Sequence, residues 1–378
     1  MPRAAVTTFI GPSNKLQANV TDPERTVNLY LENTPPGMAR VSQWMVGTPG
    51  LEPWTLLPGS PGRGMFQQDG RAFAVGGAGY CEIFNPPSNT LRGGIAQDDY
   101  FASICSNGSA GDQNMIISGG NGYVHTLSTN AFAQITDPDF PSPARMGDFM
   151  DGYGIVSKTD SRRFQISALE DFTDWDALDF FERSEGSDNI VSLIRNNRLI
   201  WLLGSKTSEV WADVGDPLTP FQPMQGTFIE HGSAAPFGVQ RLGNWLAWLS
   251  QNENGQGEVV LASDFNPKAV STYSIARILQ EGGLAADGDL SLAVGWSYQE
   301  NGHLFYNCVV PSATSTVCLD LTMPDMWHER ARVSGGNYIA HVVNSHMAAF
   351  GRHLVGDRFS GAVYEQSTDF FDEQIVNP

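Results

Sequence analysis

Residues 68–85 read QDGRAFAVGGAGYCEIFN, a polar turn followed by two short apolar strands with a Gly-rich turn between them. Short apolar runs bounded by Gly, Asp and Asn predict a β-hairpin. The same order of turn, strand, turn and strand recurs along the chain, for example as DQNMIISGGNGYVHTLS at 112–128. Seven copies are present, and their first turns lie near residues 70, 113, 152, 197, 243, 302 and 351.

A hairpin that repeats every roughly 40–50 residues is typical of a β-propeller, in which each blade is one small antiparallel sheet. The repeat predicts an all-β propeller of about seven blades, with six blades and one irregular hairpin as the alternative. We divide the chain into an N-terminal extension (1–56), the β-propeller (57–367) and a C-terminal tail (368–378). Helix should account for less than roughly a tenth of the chain, with one short helix near 275–283.

The charge balance is strongly acidic. The 378 residues contain 41 Asp and Glu against 22 Lys and Arg, which gives a formal net charge of −19. Proteins that read DNA sequence present a basic surface to the phosphates, and no basic stripe is visible here. No apolar run is long enough for a membrane span, and the first residues lack the apolar core of a signal peptide, so we expect folding in a cytosol.

The four cysteines are too scattered for a disulfide framework or a metal knuckle. Cys308 and Cys318 are symmetric about residue 313, which predicts that they face each other across a hairpin. Because the chain is expected to fold in a cytosol, we expect both thiols to be reduced.

Known catalytic and metal-binding patterns are missing from the sequence. The histidines do not form a zinc motif, and Asp171, Asp174 and Asp176 have the wrong spacing for a calcium loop. Gly204–Thr207 lacks the upstream Gly of a phosphate-binding loop. We therefore expect no metal, no cofactor and no enzymatic activity, although a pair of carboxylates acting as a hydrolase remains an alternative in so acidic a protein.

Six tryptophans lie on or beside the repeated strands and have two interpretations. They could stack on sugars or bases, but their alternation with neighbouring residues favours packing between blades. The six are Trp201, Trp211, Trp245, Trp248, Trp296 and Trp327.

The N-terminal extension belongs to none of the hairpin copies, yet it contains strand and turn patterns. Residues 27–31 alternate like a strand, and Pro49-Gly50 suits a type II turn because Gly accepts a positive φ. This extension is expected to lead into the propeller, to supply a strand that closes it, or to reach a neighbouring ring. The residues of this candidate assembly segment are Arg25, Asn28, Tyr30, Thr48, Pro49 and Gly50.

Several short strings occur in a fixed order along the chain. The central strings are RNNRLIWLLG (195–204), EVW (209–211), IEHG (229–232) and AP (235–236). The outer strings are RTVNLY (25–30), GTPGL (47–51) and MWHER (326–330). Together they resemble the packaged-DNA stabilisation proteins, also called tail hub or nozzle proteins, of short-tailed bacteriophages. Two departures are visible: Glu185-Gly186-Ser187 stands one residue closer to Asp188 than in the family pattern, and the chain after Tyr364 is short, which puts a further tail-binding domain in doubt.

The resemblance implies a structural protein of the virion tail that is made in the bacterial cytoplasm. It implies a ring of six copies below the portal and adaptor proteins, in contact with a spike, fibre or needle. Double-stranded DNA would pass through this ring without sequence-specific binding, and the ring would help to retain the packaged genome. A propeller that binds a receptor or glycan is the second function we consider, and the carboxylate-dependent hydrolase is the third.

Overall fold

The computed structural model describes residues 11–13, 25–33, 43–252, 255–284 and 289–376. It is all-β, with 55% strand and 6% helix. Seven antiparallel sheets, the blades, follow one another around a ring. The first strand of each blade contacts the first strand of the next from blade one to blade four, and again from blade five through blades six and seven to blade one. The predicted propeller is confirmed, and it has seven blades.

The chain enters the propeller from two strands that pair with each other and a third that follows. These are β1 (Leu29–Asn33), β2 (Gln43–Gly47) and β3 (Gly50–Leu56). Blade one contains β4 (Gly62–Gln68), β5 (Arg71–Gly76), β6 (Gly79–Phe84) and β7 (Ser88–Gly94). Blade two contains β8 (Ser103–Ser106), a helical turn α1 (Gly108–Gly111), β9 (Gln113–Ser118), β10 (Asn121–Thr126) and β11 (Ala131–Gln134).

The next three blades are also four-stranded. Blade three contains β12 (Ala144–Met150), β13 (Tyr153–Lys158), β14 (Arg163–Ala168) and β15 (Asp171–Glu182). Blade four contains β16 (Ile190–Asn196), β17 (Leu199–Gly204), β18 (Ser208–Asp213) and β19 (Phe221–Pro223). Blade five contains β20 (Gln240–Leu242), β21 (Trp245–Gln251), β22 (Gly257–Ala262) and β23 (Lys268–Ala269).

The last two blades depart from the simple pattern. After helix α2 (Tyr273–Leu284) and a 3₁₀ turn (Leu290–Leu292), blade six has five strands: β24 (Val294–Glu300), β25 (His303–Val309), β26 (Thr316–Asp320), β27 (His328–Ser334) and β28 (Asn337–Ala340). Blade seven has the order β29 (Val343–Ala349), β30 (Arg352–Asp357), β31 (Ala362–Ser367) and then β3. The helix predicted near 275–283 is confirmed as α2, whereas part of the loop that follows it lies outside the described residues.

The seven repeated turns all join the first strand of a blade to the second. Asp69 and Gly70 have φ of 50° and 77°, and Asn301 and Gly302 have φ of 49° and 85°. Two successive positive φ angles make the type I′ turn that suits the twist of a hairpin, which explains why Asp, Asn and Gly recur there. The two strands predicted in each copy are therefore the second and third strands of each blade.

These middle strands are buried on both faces because each blade packs between two neighbours. Phe73 and Val75 of blade one, for example, pack in one apolar cluster with Ile116 of blade two. Five of the six tryptophans are 4% exposed or less, as the packing interpretation predicts, while Trp245 is 40% exposed.

The ring is closed by a strand from the N-terminal extension. β3 pairs antiparallel with β31, from Gly50 opposite Ser367 to Leu56 opposite Ala362. The last seven residues of the segment 1–56 therefore form the outer strand of blade seven, as one of the sequence alternatives predicted. The tail then runs beside β3, where the Leu51 amide donates to the carbonyl of Asp372 at 3.0 Å.

The cysteine pair requires a correction. All four cysteines are buried and free, but Cys308 pairs with Val317, and Cys318 pairs with Asn307. The hairpin register differs by one residue from the symmetric arrangement. Because side chains alternate along a strand, this single residue places Cys308 and Cys318 on opposite faces of the sheet, so the prediction that they face each other is wrong.

Candidate functional site: the terminal junction

Both ends of the chain meet blades six and seven in a buried polar cluster that we call the terminal junction. It consists of Ser13, residues 25–33 and 48–50, His303, residues 328–331, His341 and residues 372–374. All six residues of the candidate assembly segment lie in it.

Asn28 attaches the start of the chain to β27. Its amide N–H donates to the carbonyl of Glu329 at 2.7 Å, and its side chain both donates to the carbonyl of Ala331 (2.8 Å) and accepts from the amide of Ala331 (2.9 Å). The φ of Asn28 is 56°, a left-handed conformation that Asn adopts more readily than most residues. The Thr48 amide donates back to the carbonyl of Asn28 at 3.0 Å, which joins β1 and β2 at this point.

Glu329 is the buried acceptor of the junction, and its side chain is fully buried. Arg25 donates to it through Nε at 3.1 Å and also through Nη2, Ser315 donates at 2.5 Å, and Ser13 donates as well. Burial alone would raise the pKa of Glu329, but the hydrogen bonds from Arg25, Ser13 and Ser315 outweigh it and hold this pKa below its usual range. The carboxylate is therefore charged and paired at neutral pH.

Tyr30 inserts into an aromatic cluster of blade six. It is 2% exposed, and its ring centroid lies 5.2 Å from that of His303 and 5.3 Å from that of Phe305, both in edge-on geometry. Edge-on contacts of this kind add to the energy of area burial.

His303 joins β1 to blade six through two carboxylates. Its Nδ1 lies 2.6 Å from Asp320 Oδ2, and its Nε2 lies 2.8 Å from Glu32 Oε2. Burial disfavours the charged ring, but the hydrogen bonds to Asp320 and Glu32 outweigh this effect and raise the pKa of His303. With a carboxylate at each nitrogen, the doubly protonated ring satisfies both contacts.

Arg330 holds the other strand of the extension. Its guanidinium donates to the carbonyl of Pro49 at 3.0 Å and to Gln366 Oε1 at 2.9 Å. Gly50 follows, and a Cβ there would lie 2.5 Å and 2.6 Å from the carbonyl oxygens of Phe370 and Asp372. Glycine is thus required at 50 because the tail passes directly over it.

His341 and Glu373 fix the tail on this cluster. The amide of Val343 donates to Nδ1 of His341 at 3.2 Å, so the neutral ring carries its proton on Nε2, which lies 2.6 Å from Glu373 Oε1. Burial would raise the pKa of Glu373, but His341 and Arg330 hold it at about 2. The tail is therefore bound through a charged carboxylate.

The junction contains residues that sequence reasoning did not select, namely Glu329, Arg330, His303, His341 and Glu373. The string MWHER at 326–330 pointed to two of them, whereas a single His or Glu elsewhere carries no such signal. Each of the six selected residues contacts its own chain, so the structure gives them a place in closing the propeller. Their use in assembly stays a prediction.

The propeller's central channel is the second candidate site, and two aromatic rings cross it. Phe101 precedes the first strand of blade two, Phe237 precedes that of blade five, and their ring centroids are 5.8 Å apart. Both rings line a cavity of about 500 Å³ and also a second one of about 280 Å³. They therefore separate two halves of the channel.

A partly exposed ion pair, between Asp148 and Arg241, also lines the larger cavity. Asp148 of blade three accepts from Arg241 of blade five at 2.7 Å and from the backbone amide of Arg195 of blade four at 2.7 Å. These contacts link three successive blades. The contact between Phe101 and Phe237 thus closes the channel, and this ion pair cross-links blades around it.

Within the described ranges, no group of three or more His, Cys, Asp or Glu residues could hold a metal ion. The helices described there are all too short or too polar to cross a membrane. The expectation that no cofactor is needed stays a prediction.

Comparison with known proteins identifies the family. Residues 24–370 match the family model described as "Bacteriophage P22 Gp10, beta-propeller". The chain belongs to this family. It is accordingly a phage structural β-propeller protein, as the resemblance of its short strings indicated. No curated protein matches the sequence.

Solved structures resemble the chain in fold only. The N-terminal domain of Nup159 aligns with a TM-score of 0.52 at 9% identity, over 91% of this chain and 96% of that one. Virginiamycin B lyase from Staphylococcus aureus gives 0.53 at 8% identity, over 84% and 99%. The extracellular domain of a putative one-component system from B. thetaiotaomicron gives 0.54 at 8% identity, over 84% and 40%. Propellers serve many functions, so these likenesses carry no activity to this chain.

Proposed function

We propose that the protein is a subunit of the phage tail hub, in which six copies form a ring below the portal and adaptor and retain the packaged DNA. The observation that carries this proposal is the family match over residues 24–370. A spike, fibre or needle protein would attach around or below the ring.

The closed channel supports one feature of this proposal. Phe101 and Phe237 meet at 5.8 Å across the propeller axis, so a duplex cannot pass through an individual subunit. In the proposed assembly the DNA path lies between subunits, along the axis of the ring. Each propeller then forms part of the wall of the DNA channel, and DNA does not pass along the propeller's own axis.

The net charge of the chain supports the proposal that DNA slides along the inner wall of the ring. Six copies would carry a formal charge of −114, six times the −19 of one chain. Polyanions bind proteins mainly through cations that replace their counterions, so an acidic wall holds DNA weakly. We expect isolated rings to bind duplex DNA weakly at moderate salt.

The decisive experiment compares particles made with and without the protein. Particles without it should package DNA and then lose it, and wild-type protein supplied in trans should restore full heads. Stable, full particles without the protein would reject the retention role. Tight duplex binding with a steep salt dependence would reject the account of the acidic wall, and a sugar bound at a propeller mouth would favour the receptor-binding alternative.

A further inference from the structure

Two arginines flank one exposed phenylalanine where blades six and seven meet. The Cζ of Arg332, on β27, lies 4.8 Å from the ring centroid of Phe359, and the Cζ of Arg358 lies 4.4 Å from it. Phe359 is 41% exposed. We call these three residues the arginine pair site.

The cations of this site lack carboxylate partners among the described residues, although most other described arginines have a carboxylate within 4.0 Å. Nε of both arginines and Nη1 of Arg358 are buried without a hydrogen-bond partner, and Nη2 of Arg358 donates only to the carbonyl of Pro311 at 3.0 Å. Burial and the nearby charge of Arg332 lower the pKa of Arg358 to about 10. No carboxylate is therefore in direct contact with either cation, and Asp357 and Glu373 act on them only from beyond 4.0 Å.

A complementary acidic surface lies on the outer strand of blade three. In β15, Trp175 pairs with Ser167 and Phe180 pairs with Gln165, so residues 176–179 (DALD) form a bulge outside the ladder. Asp176, Leu178 and Asp179 are exposed, Leu178 to 81%. Bulges on edge strands commonly keep the edge from pairing with other strands and redirect side chains outward.

The acids of this bulge also lack a cation among the described residues. Burial and the neighbouring charge of Asp176 raise the pKa of Asp179, the shift expected of a carboxylate that no cation compensates. Glu182, further along the same strand, differs because Arg162 and Arg163 pair with it.

The two surfaces lie on different sides of the disc. Three blade steps separate blade three from blade six, and four separate it from blade seven in the same direction, so the blades that carry the two surfaces are nearly opposite around the ring. The acidic bulge lies on an outer strand, whereas Arg358 and Phe359 line the smaller channel cavity. Two different complementary surfaces on one subunit make a head-to-tail contact, and such contacts close into rings when the rotation between subunits permits.

We propose that the arginine pair site of one copy binds the acidic bulge 176–179 of a second copy, with Leu178 against Phe359. This inference rests on the proposed function, which supplies the ring, and it names the contact that builds the ring. Arginine and carboxylate groups make strong charge-assisted hydrogen bonds, and arginine is enriched at the energetic centres of interfaces. A carboxylate partner is favoured over DNA phosphates because two cations give few of the contacts that hold a duplex.

Charge reversal tests the contact in a way that mixing can rescue. One variant carries Arg332→Glu with Arg358→Glu, and the other carries Asp176→Arg with Asp179→Arg. Each alone should weaken self-association about 100-fold or more, because like charges then face each other. An equimolar mixture should associate again, since each variant's altered surface is complementary to the altered surface of the other.

Association is measured as molar mass by light scattering across a protein concentration series, with melting temperatures to show that each variant is folded. Glu185→Arg with Glu230→Arg adds the same charge at exposed sites near blade four and should associate like wild type. A fully reversed chain with all four substitutions offers a second rescue, because it should associate with itself.

Three results would each overturn the proposal: wild type that stays monomeric throughout the series, reversed variants that associate like wild type, or a mixture that fails to associate again. Duplex DNA binding is measured alongside: loss of DNA binding in the arginine variant with normal association would assign the site to phosphates and also overturn it. If particles without the protein lose their genome and any of these results is also observed, the proposed contact is overturned and the proposed function still stands.

Discussion

Blade one and blade seven are both four-stranded antiparallel sheets, but the chain builds them differently. Blade one uses one continuous stretch, from Gly62 to Gly94, whereas blade seven joins β31 to a strand more than 300 residues earlier in the chain. The first is held mainly by short hairpins and apolar packing. The second also depends on the terminal junction, where buried charges hold both chain ends.

This difference shows where a propeller depends on polar contacts to set the register of a strand. A hairpin forms between neighbours in the chain, and its register is set by the turn. A closing strand has no turn to set its register, and loop-closure entropy opposes its pairing. The hydrogen bonds of Asn28, Glu329 and Arg330 fix that register, because each of these hydrogen bonds can form in only one alignment of the chain segments.

The largest expected effect compares two buried glutamates, Glu329 of the junction and Glu82 of blade one. Glu329→Gln should reduce the free energy of unfolding by about 3–5 kcal/mol, because it removes the charge paired with Arg25 and places an amide N–H against the buried hydroxyl donor Ser13 or Ser315. Glu82→Gln should reduce it by about 1–2 kcal/mol, because Arg71 and Arg92 are 27% and 20% exposed and can turn to water. Urea unfolding measures both, and equal losses would show that closure has no special dependence on polar contacts.

His303 gives the next effect, and its sign is set by its raised pKa. Stability from a raised pKa is fully present below the unfolded value near 6.5 and is lost as the pH rises through the folded value. His303→Gln should therefore reduce the free energy of unfolding by about 2–3 kcal/mol at pH 6 and by less at higher pH. A loss that is the same at pH 6 and pH 9 would contradict a charged ring between Glu32 and Asp320.

His328 should show the opposite dependence. It is 2% exposed, neither ring nitrogen has a partner, and burial followed by the charge of Arg330 lowers its pKa to about 3. The unfolded chain takes up a proton near pH 6.5 while the folded chain does not, so stability falls as the pH falls below 6.5.

Replacing this ring by an apolar one should remove that loss. His328→Phe should match wild type within about 1 kcal/mol at pH 7.5 and exceed it by about 2 kcal/mol at pH 5. His125 of blade two, whose pKa burial lowers to about 4, allows the matched change His125→Phe away from the junction. Thermal melts at both pH values measure the effect, and parallel pH profiles for wild type and His328→Phe would refute it.

The smallest effect for a single residue concerns the central channel, which belongs to neither region of the comparison. Phe101 and Phe237 are only partly buried, so Phe101→Ala with Phe237→Ala should reduce the free energy of unfolding by about 1–2 kcal/mol for each change. If DNA passes between subunits, particles with this double variant should retain their genome. Genome loss from stable, assembled particles would instead indicate that the propeller axis is part of the barrier.

Much of the fold could be predicted because its information is local. Asp69-Gly70 and Asn301-Gly302 favour positive φ by their own chemistry, and the second and third strands beside them are apolar since they are buried on both faces. The first and fourth strands were not predicted as part of each copy. They carry mixed or polar residues, as in β7 (SNTLRGG) at the outer edge of blade one, and so lack a clear period.

The candidate site was predicted only in outline. The sequence marked residues 25–51 as strands and turns outside the repeat and left three uses open, including the closing strand that the structure shows. Nothing local indicates that Arg330 binds the carbonyl of Pro49, since 281 residues separate the two partners. The one-residue error in the register of Cys308 and Cys318 has a different, local origin, because the turn that sets this register is irregular.

The sequence by itself determined the repeat, the all-β class, the blade number within one, the acidic balance and the family. Each of these depends on residue type and on spacing within about 50 residues, where turn preference and burial act directly. Only the tertiary structure decided that β3 closes blade seven, that Phe101 meets Phe237, and that Arg332 and Arg358 share Phe359. Those contacts join residues that become neighbours only after the ring has closed, because the packing of whole blades, and no local preference, brings them together.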